Sequence, residues 1–329
     1  MLETGTIHLI EGILEVLERK SVKAFEIAME ELSTEGIKDV HLRQALEHYK
    51  KNWNDVLHPG IIAVACEAVG GSEKDSVLMQ VPMLFFTAAA DIHDDIIDGS
   101  PTKNGKPTIF GKFGEGVALL VGDRMLFKGT EALYISGKKI ATERMDLIVA
   151  AIDKAFVEVA EAHTAEMRFK GKLDPNPKEY FCTLEKKSAV LEAHTRVGAL
   201  VGNGRKKEIE RLTEYGRLLG TLITLRDEFI DLFEPLELRN RLKNGSLPLP
   251  MMYAFENPVV KKSIMTILSQ PKISRNDADA IVNIVLEDPG VKGLKNEMEA
   301  LSSRASKLSS GLAQEQNLKL TVDALFEDL

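Results

Sequence analysis

Residues 77–98 read Val-Leu-Met-Gln-Val-Pro-Met-Leu-Phe-Phe-Thr-Ala-Ala-Ala-Asp91-Ile-His-Asp94-Asp95-Ile-Ile-Asp98, an apolar run interrupted at Gln80 and closed by four carboxylates. On a helix, offsets of three, four and seven return to the same face, so Asp91, Asp94, Asp95 and Asp98 form one stripe. Four like charges there repel one another and meet the negative end of the helix dipole, a poor arrangement for stability alone. A divalent cation relieves it. Mg2+ in particular takes a few carboxylate oxygens and keeps water and substrate phosphates as its other ligands. A solvated charged face is the alternative for a single stripe of this kind.

The same spacing recurs in Asp227-Glu228-Phe-Ile-Asp231, again after an apolar helical segment, Leu218 to Leu225. Two copies of one unusual spacing, each at the end of an apolar helix, favour two carboxylate ridges facing each other across a bundle. Such ridges suit metal ions that grip a polyanionic leaving group. Diphosphate leaves readily when the remaining carbon fragment can carry positive charge, as an allylic chain can. The apolar run before the first ridge then lines the slot for that chain. Pro82 inside it predicts a kink or a first turn.

Working outward, apolar residues recur at three and four over most of the chain, and strand-like alternation is scarce. The periodic stretches are Ile7 to Leu32, Leu42 to Tyr49, Gly60 to Ala68, Asp75 to Asp98, Gly114 to Ser136, Thr142 to Lys170, Pro177 to Val201 and Ile209 to Leu232. A more broken pattern runs from Val259 onward. Gly, Pro and Asn clusters separate them, and none reads as a domain linker, so an all-α single domain over residues 1–329 is expected. A Gly-rich phosphate loop after a strand and a G-x-S-x-G elbow are both missing from the sequence.

The 329 residues are 44% hydrophobic and 28% charged, with a formal net charge of -8. That balance excludes nucleic acid as the expected partner, because phosphate backbones are held by clustered Lys and Arg. Cys66 and Cys182 are too few for a disulfide framework or a four-cysteine zinc site, and both are expected to pack inside helices. The run Val77 to Ala90 is too short for a spanning helix, and residues 1–20 resemble neither a secretory nor a transit signal, so the expected compartment is cytoplasmic.

The chain resembles the trans-isoprenyl diphosphate synthases, or polyprenyl synthetases, of the all-helical isoprenoid synthase fold. His93-Asp94-Asp95-Ile-Ile-Asp98, Gly105-Lys-Pro-Thr108 and Val121-Gly122-Asp123-Arg-Met-Leu126 are similar to the family's first aspartate-rich region, its following loop and its G-D-x-L-L helix. Lys187-Ser188-Ala189 resembles the K-T-A segment, and Gly216-Arg-Leu-Leu-Gly220 leading to Asp227-Glu228-x-x-Asp231 the second aspartate-rich helix. The resemblance implies a helical bundle with a central prenyl pocket. It implies two or three Mg2+ ions on Asp94, Asp95, Asp98, Asp227, Glu228 and Asp231, and catalytic roles for Asp94, Asp95, Asp98, Lys187 and Asp227. Lys103 and Lys187 become the candidates for binding the allylic diphosphate.

Departures from the family pattern concentrate on the isopentenyl diphosphate side. The G-G-K-R-x-R-P segment falls on Trp53-Asn-Asp-Val-Leu-His58-Pro59, paired arginines become Lys103 and Asn104, and a lysine near T-L-P becomes Ser246. Losing three cationic groups removes charge-assisted bonds to an anion worth about 1.5–3 kcal/mol each. The acceptor therefore stays open: isopentenyl diphosphate, with Lys106, Lys112 or Arg124 substituting for the lost cations; no acceptor, as in a terpene-synthase-like lyase; or, for a non-catalytic subunit, no reaction. The few aromatic residues count against a lyase. The family's habit implies a homodimer or a heteromer with a homologue.

Ala89 and Ala90 lie about one turn before Asp94, and Phe85 and Phe86 another turn back. They are the candidate walls of the prenyl pocket, small residues leaving it open and the phenylalanines closing it beyond fifteen carbons. Core packing accounts for the same four residues equally well. His93 is expected to support a ligand by hydrogen bonding rather than to ligate. His58, His163 and His194 stand alone in the sequence and receive no assignment.

Overall fold

The computed structural model describes residues 4–103, 105–172, 175–233, 238, 241, 246–270 and 274–326. Asn104 lies outside them. Three helices, α1 (Thr4–Glu31), α2 (Val40–Asn52) and α3 (Leu57–Ala68), precede α4 (Glu73–Ile97), which carries the first acidic stripe. A reciprocal cap starts α4: the Ser72 hydroxyl accepts from Asp75 N–H, and the Asp75 carboxylate accepts from Ser72 N–H at 2.8 Å. Gly99, in the left-handed region at φ 63°, turns the chain away after Asp98. Pro82 lies in the interior of α4, not in its first turn.

The loop after α4 holds a two-stranded antiparallel ribbon, Thr102–Lys103 paired with Lys106–Pro107, which helical periodicity gave no sign of. Then come α5 (Ile109–Phe113), α6 (Glu115–Gly137), α7 (Thr142–Glu166), α8 (Pro177–Lys187), α9 (Ala189–Val201) and α10 (Lys206–Phe233). Helices Leu249–Phe255, Pro258–Leu268, Arg275–Glu287, Pro289–Ser309 and Glu315–Phe326 follow. The pattern over Pro177 to Val201, expected to be one helix, is two. The chain breaks at Ser188, whose hydroxyl bonds the Glu185 carbonyl and competes with the backbone ladder.

α4 packs against α6, α3 and α1, while α9 lies between α3, α7 and α10, and α10 rests on Pro289–Ser309. By length and composition α4 could cross a membrane, contrary to the estimate from the apolar run, but 67% of its apolar window is buried in the protein and it serves as a core helix. Phe85, Phe229, Tyr180 and Tyr215 are among the largest fully buried side chains. Burying a side chain of that size contributes about 1.5–3 kcal/mol. The Tyr215 hydroxyl donates to the Leu318 carbonyl at 2.7 Å, tying α10 to the last helix. Cys66 is buried as expected. Cys182 is exposed, because α8 buries the face bearing Tyr180, Thr183 and Leu184 and leaves 182 outside.

Two glycines allow α10 to press against α8 and α9. A Cβ on Gly216 would stand 2.0 Å from Thr195 Oγ1 and 2.4 Å from the Leu191 carbonyl, and one on Gly220 2.7 Å from the Ser188 Cα. This contact places Lys187 opposite the second acidic ridge. Gly216→Ala is expected to force the helices apart and to destabilise the fold by about 1–3 kcal/mol. The measurement is the thermal unfolding midpoint, and an unchanged midpoint would sink the close-packing account.

Candidate active site

The four aspartates of α4 share a stripe but divide between two cavities. Asp91 and Asp95 line a cavity of about 330 Å³ with Trp53, Asp55, His58, Thr87, Lys103 and Lys106. Asp98 lines a second, of about 300 Å³, together with Glu166, Lys170, Lys187, Asp227, Glu228 and Asp231. Asp94 sits between them, its Oδ1 3.3 Å from Nδ1 of His163 on α7. The two ridges that resemble each other in sequence therefore meet at the second cavity.

Cations are interleaved with these carboxylates. Lys187, at the end of α8, pairs with Glu166 at 2.7 Å. Burial opposes its charge, but the fields of Glu166, Asp94 and Glu228 outweigh that and hold it above the ordinary lysine range. Lys170 donates to the Ile97 carbonyl at 3.0 Å and lies 3.4 Å from Asp98. Burial and repulsion from Asp98 raise Asp94 despite His163 and Lys187. Asp227 faces the cavity mouth yet is closely surrounded. Loss of bulk water pushes it up to about 6, with Arg226 pulling it down and Asp231 and Glu228 pushing it up. Glu228 and Asp231 are both held by Arg241, a residue that helical spacing did not single out.

In the larger cavity the expected cations are engaged otherwise. Lys103 pairs with Asp91, and burial, which opposes its charge, is outweighed by Asp91 and Asp95. His58, unassigned from sequence, takes Asp55 as partner, Nδ1 to Oδ2 at 2.9 Å. Although burial opposes the charge on each of them, their mutual attraction raises His58 and lowers Asp55. Lys106 lines this cavity with no described carboxylate paired to it. Lys112 lies outside its lining, 3.2 Å from His48. Burial and Asp91 push Asp95 up to about 7.

The candidate prenyl walls separate by face. Phe86 and Ala90 line an apolar groove with Met83, Ile152, Phe156, Val159 and Val190. Phe85 and Ala89 point the other way, into the core shared by α1, α2 and α6. Each wall of the groove leads one turn into the site: Ala90 to Asp94 on α4, Val159 to His163 on α7, and Val190 back to Lys187. Its free volume is about 60 Å³, narrowed by Phe86 edge-on to Phe156 at 5.8 Å. His93 faces α6, its Nε2 3.6 Å from Asp123, instead of supporting the acidic stripe.

A metal ion is compatible with the first ridge. Asp94 Oδ1 is buried and accepts no hydrogen bond, and Asp98, one turn on, lines the cavity of the second ridge. Among the described residues no three His, Cys, Asp or Glu side chains are grouped so as to hold a metal ion by themselves. This fits an ion that draws its remaining ligands from phosphate and water. Glu228 fits poorly as a ligand, because both of its oxygens already receive Arg241, and Asp231 gives one of its two oxygens to the same guanidinium. Sequence reasoning missed His163, Glu166 and Lys170, although offsets of three and four put them on one helical face, the signal used for the aspartates.

Asp95 offers a test by pH. A carboxyl raised to about 7 when folded binds a proton that the unfolded chain releases near 4, so its contribution to stability is lost as pH rises from about 4 to about 7. In metal-free buffer, Asp95→Asn is expected to be more stable than the unaltered protein at pH 8 by roughly 1–3 kcal/mol after solvent screening, with the gap closing near pH 4. Equal denaturation midpoints at both pH values would show Asp95 to be unperturbed.

Comparison with known proteins agrees with this geometry. The polyprenyl synthetase family model matches residues 39–285. A short chain isoprenyl diphosphate synthase of Methanothermobacter thermautotrophicus is 27% identical over 274 residues, 83% of this chain and 80% of that protein. A geranylgeranyl diphosphate synthase of Methanosarcina mazei is 28% identical over 73% of this chain and 74% of its own length. The crystal structure of geranylgeranyl pyrophosphate synthetase from Pyrococcus horikoshii superposes with a TM-score of 0.84 at 22% identity, covering 96% of this chain and 98% of that one. The all-α fold, the paired acidic helices and these matches together establish that the chain belongs to the polyprenyl synthetase family.

Proposed function

We propose that this prenyltransferase seats an allylic diphosphate with its anionic head in the cavity between the two ridges and its chain in the groove of Phe86, Phe156 and Ala90. The observation that carries the reading is the convergence of Asp98, Lys170, Lys187 and Asp227 on one cavity, with the groove wall residues Ala90 and Val159 each one helical turn before Asp94 and His163. Mg2+ bound at Asp94 and Asp98 would neutralise the diphosphate and favour its departure. Lys170 and Lys187 hold the leaving group by charge-assisted hydrogen bonds. Apolar walls keep water from the allylic fragment once it carries charge.

The neighbouring 330 Å³ cavity takes the acceptor. With Lys103 given to Asp91 and His58 to Asp55, Lys106 is the cation left there for an anion, so isopentenyl diphosphate is held weakly. An uncharged acceptor is the second reading, favoured by the mutually neutralised Asp55–His58 pair. Labelled isopentenyl diphosphate supplied with each allylic primer and Mg2+ tests the first, and elongated product with a high KM is expected. No labelled product at saturating substrate would remove it. Asp94→Asn is expected to lower turnover at least 100-fold, whereas Phe86→Ala is expected to deepen the groove and lengthen the product, read by chromatography of the dephosphorylated alcohols.

Along α6, Leu120, Phe127 and Tyr134 are 60%, 65% and 70% exposed at successive spacings of seven, an apolar stripe on the outer face of the bundle. Contiguous exposed apolar surface marks an interaction site. A second copy of this chain is the partner that brings the matching stripe. Phe127→Glu is expected to halve the mass measured by sedimentation; an unaltered protein that is already monomeric would contradict the pairing.

A further inference from the structure

We propose that Arg241 is a resident cation of the second carboxylate ridge, occupying both oxygens of Glu228 and one of Asp231 so that neither ligates a metal ion. The inference rests on the diphosphate reading of the cavity and concerns how its charge is balanced. A carboxylate offers about four lone-pair directions, and Glu228 receives four donors. Oε1 accepts from Arg241 Nη1 at 2.9 Å and from the Tyr180 hydroxyl at 3.4 Å. Oε2 accepts from Arg241 Nη2 at 3.1 Å and from Leu249 N–H at 2.6 Å. No oxygen direction is left for a metal.

Arg241 is as fully engaged as its partner. Nη1 also bonds Asp231, Nε donates to the Ser246 carbonyl at 2.9 Å, and Nη2 donates to the Tyr180 hydroxyl at 3.0 Å and the Leu247 carbonyl at 3.3 Å. The side chains of Arg241 and Glu228 are 13% and 8% exposed. A guanidinium fixed from five sides acts as a permanent counter-charge. Its fork matches a carboxylate edge to edge, which the point charge of a lysine does not. Glu228 and Asp231 line the diphosphate cavity beside Asp227, but Arg241 already matches their charge. The mobile cations needed there are correspondingly fewer, and Lys170 and Lys187 supply fixed ones.

Mn2+ binding measured by electron paramagnetic resonance in the presence of inorganic pyrophosphate tests this. Asp231→Asn is expected to bind the same number of ions as the unaltered protein, while Arg241→Gln, which frees both carboxylates, is expected to bind one more. Arg241→Lys, keeping the charge, is expected not to gain that ion. In parallel, Mg2+ with pyrophosphate is expected to raise the melting temperature of Arg241→Gln by more than that of the unaltered protein. A loss of one ion in Asp231→Asn overturns the proposal even if the Arg241 variants fail to fold, and so does an unchanged count in folded Arg241→Gln. Failure of the unaltered protein to bind any Mn2+ with pyrophosphate would instead overturn the diphosphate reading of the whole cavity.

Discussion

Crowded negative charge between α4, α7 and α10 is the constraint on which the rest of the site depends. Asp94, Asp98, Glu166, Asp227, Glu228 and Asp231 project toward one another from these helices. Two such charges 4 Å apart repel by about 4 kcal/mol at an effective dielectric constant of 20. No bundle retains that many unless counter-charges lie between them. The protein supplies His163 beside Asp94, Lys170 beside Asp98, Lys187 beside Glu166 and Arg241 beside Glu228 and Asp231.

Close packing brings that balance into register. Without side chains at Gly216 and Gly220, α10 reaches Thr195 and Ser188, so the second ridge stands opposite Lys187. The helix break at Ser188 turns Lys187 toward Glu166. The same contacts set the groove, because Ala90, Val159 and Val190 each lie about a turn from a charged residue of the site.

Much of this was legible in the residues themselves. Periodic spacing marked the helices through α10 apart from the short α5, running α8 and α9 together, and the repeated Asp-Asp/Glu-x-x-Asp pattern located both ridges. Helical spacing could not tell that Asp91 and Asp95 face one cavity and Asp98 another, since the whole stripe subtends a wide arc and the neighbours decide what each carboxylate meets. It also could not separate Phe85 from Phe86 or Ala89 from Ala90. Adjacent positions are 100° apart on a helix, and only the packing of α6 against one side and α7 against the other assigns core and groove.

Local chemistry along the chain determined the helical class and the two acidic ridges, because periodicity and charge sign are properties of neighbouring residues. Partnerships among charges were decided by the tertiary structure. Asp55 with His58 is close in sequence, yet its effect, neutralising a cation on the wall of the 330 Å³ cavity, depends on α3 facing α4. Arg241 lies ten residues beyond Asp231, past the end of α10, and no periodic pattern ties it to Glu228. A carboxylate becomes a metal ligand or half of an ion pair according to which cation reaches it first in space. That outcome is set by how the helices pack.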